Sequence, residues 1–157
     1  MNLKKELFAV LDALESATVK YAVCGGIAVA IHGFPRATRD LDVIIQEDDL
    51  ARAETALQEI GFTVPAGIIP FGTGTQDVRK VFRISKPMGS EFLTLDLLLI
   101  TPVLNDVWES RIELELDSRT VWVVSRDGLA KMKRMAGRLR DLADLEELGF
   151  DVDRNTN

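Results

Sequence analysis

A chain of 157 residues, 46% of them hydrophobic, has the material for one well-buried core and needs no metal or disulfide to staple it. A formal net charge of −6 excludes a protein that coats nucleic acid through a broad basic surface, although it leaves room for a local basic cleft. A single cysteine, Cys24, excludes an intrachain disulfide and a cysteine-based zinc cluster; set in the apolar run Tyr21 to Cys24, it reads as a small core residue. Acidic residues spread over Met1 to Ala17 do not fit a secretory signal, and no apolar run approaches the roughly 20 residues of a membrane-spanning helix. The expectation is a soluble cytoplasmic protein with no membrane partner.

Leu3, Leu7, Leu11 and Leu14 recur at helical spacing and predict an amphipathic first helix. Tyr21 to Cys24 predicts a short strand, and Gly25-Gly26 turns it into a helix over Ile27 to His32 that Gly33 closes. Leu41 to Ile45 predicts a buried strand. Asp48 or Asp49 is expected to cap the next helix, whose apolar stripe is Leu50, Ala53, Leu57 and Ile60 and whose stop is Gly61. Phe62 to Val64 is expected as a brief strand, and the Gly- and Pro-rich Pro65 to Gln76 as a long loop, either a substrate flap or a connector. Val78 to Ser85 and Phe92 to Ile100 predict a hairpin. A short helix follows Pro102, then a second hairpin from Ile112 to Leu116 and Thr120 to Val124 across Asp117-Ser118. Ser125 caps a basic helix ending at Gly137, and Leu139 to Leu148 forms the last helix, giving a C-terminal helical pair. The expected architecture is α+β, one domain over 1–150 with a mixed sheet packed against helices, and a disordered polar tail over 151–157.

The chemistry concentrates in a few residues. On a strand, Asp40 and Asp42 project from one face while Leu41 and Val43 pack behind them. Adjacent carboxylates repel unless a cation sits between them, and hard oxygen ligands suit Mg²⁺ or Mn²⁺. Gly25-Gly26, between a strand and a helix, lets backbone approach a phosphate closely. Asp96 is the lone acid between Phe92 and Ile100, so it needs a partner: either the Asp40–Asp42 pair through a shared cation, or a core arginine. His32 reads as structural, Trp108 and Trp122 as packing residues, and Gly72-Thr73-Gly74 lacks the lysine of a P-loop.

Val23-Cys24-Gly25-Gly26, a helix, and then Arg36-Ala37-Thr38-Arg39-Asp40-Leu41-Asp42-Val43, with a later third acid, resemble the signature of the polymerase-β nucleotidyltransferase superfamily. Within it, the Arg-x-Thr-x-Asp-x-Asp stretch and the late segment from Leu129 to Leu145 look most like AbiEii-type toxin nucleotidyltransferases. The resemblance implies a polymerase-β-like fold and transfer of a nucleoside monophosphate from an NTP such as ATP to an acceptor hydroxyl. It implies that Asp40, Asp42 and Asp96 hold the metals, with Asp96 helping to deprotonate the acceptor. It implies nucleotide contacts from Gly25, Gly26, Arg36, Thr38, Arg39, Lys133 and Arg138, with Asp141 orienting Lys133 or Arg138. Lys133 is expected at the edge of the buried face, within reach of a phosphate. Asp144 is either a companion of Asp141 or an exposed partner of Arg140 at i,i+4.

The acceptor stays open among tRNA, protein and small molecule. A toxin-like role brings a cognate antitoxin or a homodimer as partner. An antibiotic nucleotidyltransferase acting on an aminoglycoside or lincosamide is the alternative, and an acidic protein suits a cationic drug. An inactive relative that binds nucleotide or a partner without turnover is the other.

Overall fold

The structure, a computed structural model, describes residues 1–152. The residues beyond 152 in the expected tail lie outside that range. In chain order the elements are α1 (Leu3–Ser16), β1 (Tyr21–Val23), α2 (Gly25–Ile31), β2 (Leu41–Ile45), α3 (Leu50–Glu59), β3 (Val64–Phe71), β4 (Arg79–Met88), β5 (Glu91–Leu99), α4 (Asn105–Glu109), β6 (Ile112–Leu116), β7 (Arg119–Val123), α5 (Arg126–Ala136) and α6 (Leu139–Glu147). One mixed seven-stranded sheet runs β3-β4-β5-β2-β1-β7-β6. The hairpins β4–β5 and β6–β7 are antiparallel, whereas β2–β5 and β1–β7 are parallel. This is the α+β layout with a mixed sheet and a C-terminal helical pair that the sequence predicts.

Alternation along the strands sets the core. Leu41, Val43 and Ile45 of β2, Leu95, Leu97 and Leu99 of β5, and Phe82 and Ile84 of β4 are buried together with Leu7, Leu11 and Leu14 of α1 and Leu57 of α3. Each such side chain contributes about 1.5–3 kcal/mol by leaving water. The intervening residues fall on the opposite face. There the pairing runs straight across four strands: Asp42 opposite Asp96, Asp96 opposite Arg83, and Arg83 opposite Gly67. That row carries two of the candidate acids, Asp42 and Asp96.

Three expectations need correction. Pro65 to Gln76 is not all loop: Val64–Phe71 is the edge strand β3, leaving only residues 72–78 as connector, and the brief strand at Phe62 to Val64 starts only at its last residue. Proline and glycine argue against a central strand, but an edge strand tolerates them. Here β3 slips register between Pro65 and Gly67, where Gly67 adopts φ +83. Neither Asp48 nor Asp49 caps α3 through its side chain; both lie in a 3-10 turn, and Asp49 pairs with Arg52 instead. By contrast Ser125 does cap α5, accepting from Gly128 N at 3.0 Å, and Gly137 closes that helix at φ +64. No helix among the described residues is long and apolar enough to cross a membrane.

Candidate functional site

The site begins at the β1–α2 turn. Cys24 N donates to Asp42 O at 3.0 Å, which fixes the turn against the middle of β2. Gly25 then adopts φ +66, and a Cβ built on it would overlap the Asp42 carboxylate. Only glycine combines that backbone with that approach. A Cβ on Gly26 would lie 2.9 Å from both Arg36 Nη2 and Thr38 Oγ1. The two glycines therefore bring backbone against both the acidic pair and the segment that leads into it. Cys24 itself is fully buried, and burial pushes its thiol well up from the ordinary range, in keeping with a core role.

Asp40, just ahead of β2, and Asp42 within it open into a cleft of about 360 Å³. Its walls carry Arg36, Arg39, Arg138 and Arg140, with Thr38 and Lys133. Neither Asp40 nor Asp42 has an ion pair or a hydrogen bond on its carboxylate among the described residues. Burial, then the negative charges of Asp96 and Asp40, push Asp42 up from 3.8 to about 6, against the opposing pull of Lys133 and Arg138. An oxygen-only pair without a counter-ion suits a hard divalent cation. A second recess of about 120 Å³ adjoins the cleft through Gly25, Asp42, Lys133 and Arg138, with Leu98, Leu104, Leu129 and Met132 as its apolar wall.

Asp96 stands beside Asp42 in the parallel β2–β5 register, as the sequence predicts. Its carboxylate is committed elsewhere: Arg83 Nε donates to Oδ1 at 2.8 Å and Arg83 Nη2 to Oδ2 at 3.0 Å. Of the two partners expected for Asp96, the structure shows the arginine, at the surface rather than in the core; the Asp40–Asp42 pair stands beside it without joining it in one ligand cluster. Among the described residues no group of three or more His, Cys, Asp or Glu side chains is gathered closely enough to hold a metal ion.

The C-terminal helices complete the wall with a buried charge cluster. Lys133 is not at the solvent edge, as the sequence reading had it. Its side chain is 6% exposed, and Nζ lies 3.1 Å from Asp141 Oδ1 and 2.9 Å from Asp144 Oδ2. Asp144 is likewise buried, not an exposed partner of Arg140; its second oxygen meets Arg36 Nε at 2.9 Å. Asp141 accepts from Arg138 Nε at 2.7 Å and from Arg138 N at 3.2 Å, so it caps α6 while binding both Lys133 and Arg138. Burial works against the Asp141 carboxylate, yet hydrogen bonds from Arg138 and Lys133 outweigh it and hold its pKa below the usual value.

The remaining candidates fall as follows. Arg39 and Arg140 line the cleft as exposed cations, and Arg36 is tied to Asp144. His32 meets Val124 O at 2.8 Å through Nε2, a structural contact. Trp108 is buried and Trp122 half-buried, and Arg111 stacks over both. Sequence reasoning missed Arg83, although counting back from a two-residue turn at Gly89-Ser90 puts it opposite Asp96.

Residues 6–81, just under half of the chain, match the aminoglycoside-2''-adenylyltransferase family. No curated protein matches the sequence. Among solved structures, the lincosamide antibiotic adenylyltransferase LnuA, in a lincomycin-bound form, superposes with a TM-score of 0.63 at 22% identity, over 92% of this chain and 95% of that one. A Thermotoga maritima protein assigned as a nucleotidyltransferase gives 0.64 at 14% identity, over 92% and 91%. ANT(2'')-Ia, in complex with adenylyl-2''-tobramycin, gives 0.58 at 14% identity, over 94% and 78%. The chain has the nucleotidyltransferase fold.

Proposed function

We propose that the protein is a metal-assisted nucleotidyltransferase that moves a nucleoside monophosphate from an NTP to an acceptor hydroxyl. The observation that carries this reading is one cleft in which an unneutralised carboxylate pair, Asp40 and Asp42, faces the cations Arg39, Arg138 and Arg140 across the Gly25-Gly26 turn. A basic wall binds a polyphosphate, and a carboxylate pair without a counter-ion receives the cation that accompanies it.

Asp40 and Asp42 would hold Mg²⁺ or Mn²⁺, which would supply Lewis-acid polarisation of the phosphate. The chain's own groups do the rest. Gly25 and Gly26 leave room for the phosphates, with Thr38 beside them. Arg39, Arg138 and Arg140 neutralise them. Lys133, hydrogen-bonded to Asp141 and ion-paired with Asp144, contributes mainly charge. The acceptor oxygen bonds to the α-phosphorus as the α–β bridging P–O bond breaks. Pyrophosphate leaves with that electron pair, and the acceptor proton passes to the Asp96 carboxylate.

For the acceptor, the likeness to LnuA and to the aminoglycoside-2''-adenylyltransferase family supports a small antibiotic. Arg79 and Arg83, both on β4 beside the strand that carries Asp96, disfavour a polycation, so a lincosamide-type acceptor ranks above an aminoglycoside. The toxin-like reading, with a tRNA or protein acceptor, keeps the support of the Leu129 to Leu145 segment, whose Lys133–Asp141–Asp144 cluster builds the cleft wall. The test is incubation with each labelled NTP and Mg²⁺ or Mn²⁺ in the presence of lincomycin, tobramycin, tRNA or a cell extract. Label on lincomycin, absent with Asp42→Ala, is the expected result. Undiminished transfer by Asp42→Ala would place the chemistry elsewhere.

A further inference from the structure

The Arg83–Asp96 pair sits where a stabilising role explains little. Arg83 is 44% exposed on its side chain, on a strand one position from the sheet edge, and ion pairs in such settings contribute at most about 1 kcal/mol. The geometry is nonetheless specific: a two-pronged fork, Nε to Oδ1 and Nη2 to Oδ2, engages both oxygens of a carboxylate that is itself only 13% exposed. The fork lies in the same cross-strand row as Asp42. On its other side is Gly67, where a Cβ would meet nothing within 4 Å, so the guanidinium has open space to swing into. Asp40 and Asp42, in contrast, have no ion-pair or hydrogen-bond partner on their carboxylates among the described residues.

We infer that Arg83 is a positioning residue that occupies the cation place at Asp96, so that the resting site accepts one divalent ion at Asp40–Asp42 and frees Asp96 only when the guanidinium swings away. The inference rests on reading Asp40 and Asp42 as a cation site. A guanidinium and a divalent ion compete for the same two oxygens, because a positive charge at one raises the cost of bringing the other close. While the fork holds, Asp96 is oriented but unable to act as metal ligand, and its lone pairs are poorly placed to take a proton from an acceptor. Gly67 provides the vacant ground into which Arg83 retreats, and there the freed guanidinium lies beside Asp96 on the side away from Asp42.

The test is titration of the full chain with Mn²⁺ in the absence of nucleotide, reading free Mn²⁺ by electron paramagnetic resonance. Wild type, Arg83→Ala, Arg83→Lys and Asp42→Asn are compared, each after its cooperative thermal unfolding has been verified. Wild type is expected to bind a single ion. Arg83→Ala is expected to bind a second, or to bind the first at least about tenfold more tightly. Arg83→Lys should fall between them, since an ammonium makes one contact where the fork makes two. If Arg83→Ala does not fold, Arg83→Gln and Arg83→Lys carry the comparison. Wild-type stoichiometry and affinity in the Arg83 variants, with Asp42→Asn losing the ion, overturns the role of Arg83 and leaves the cation site standing. Retention of the ion by Asp42→Asn overturns the site and the inference together.

Discussion

Two groups of charges face one another across the cleft, and they are treated oppositely. On the α5–α6 side, buried Lys133, Asp141 and Asp144, with Arg36 and Arg138 reaching in from the cleft, form a cluster in which each acid meets two cations. On the β2 side, Asp40 and Asp42 have no ion pair or hydrogen bond on their carboxylates among the described residues. Charges that hold a structure together are neutralised from within; charges kept for a ligand are left for the ligand to neutralise. At Asp141 the hydrogen bonds from Arg138 and Lys133 outweigh burial and lower the pKa, whereas at Asp42 burial, and then the charges of Asp96 and Asp40, raise it.

The largest effect should come from breaking the paired side. Lys133→Met keeps the length of the side chain and leaves Asp141 and Asp144 short of a cation. It is expected to cost about 3–5 kcal/mol, read as a lower midpoint in urea unfolding. If stability hardly changes, the cluster is not the brace described. Next comes the turn that joins the two sides. Gly25→Ala places a side chain against the Asp42 carboxylate in a left-handed backbone conformation, and a loss of about 1–3 kcal/mol is expected together with loss of nucleotide transfer.

The unpaired side should respond in the other direction. Asp42 has a folded-state pKa of about 6, above its ordinary 3.8. The folded chain therefore holds that proton more tightly than the unfolded one, and stability falls as pH rises from about 4 to about 6. Asp42→Asn should remove this slope and stabilise the metal-free protein at pH 7 by on the order of 2 kcal/mol, while abolishing transfer. Urea unfolding at pH 4.5 and pH 7 checks both parts; an unchanged slope in the variant sinks the assignment. The smallest effect is expected at the rim: Arg140→Ala should change stability by less than about 0.5 kcal/mol, yet weaken NTP binding roughly three- to tenfold by calorimetry.

The unpaired side was the more legible of the two in the sequence. Period-two alternation puts Asp40 and Asp42 together and leaves Leu41 and Val43 to the core, so the face of the acids is readable from six residues. The paired side depends on two helices meeting, which no local pattern states, so the sequence puts Lys133 at the edge of the buried face rather than within it. A signal did exist: Asp141, Asp144, Leu145 and Leu148 follow the spacing of a buried helical stripe, and acids within such a stripe need buried cations. The edge strand β3 was hidden for a different reason. Pro65, Gly67 and Pro70 remove the local preference for a strand, and only the non-local pairing with β4 restores it.

The row from Gly67 through Arg83 and Asp96 to Asp42 has a consequence for how a working molecule is told from a faulty one. Strand side chains alternate, so a slip of β5 by one residue against β2 would turn Asp96 inward and push Leu95, Leu97 and Leu99 out to water. The greasy side of the strand thereby polices its reactive side. A chain assembled out of step cannot stay compact long enough to offer a damaged centre, and quality control of the fold doubles as quality control of the chemistry.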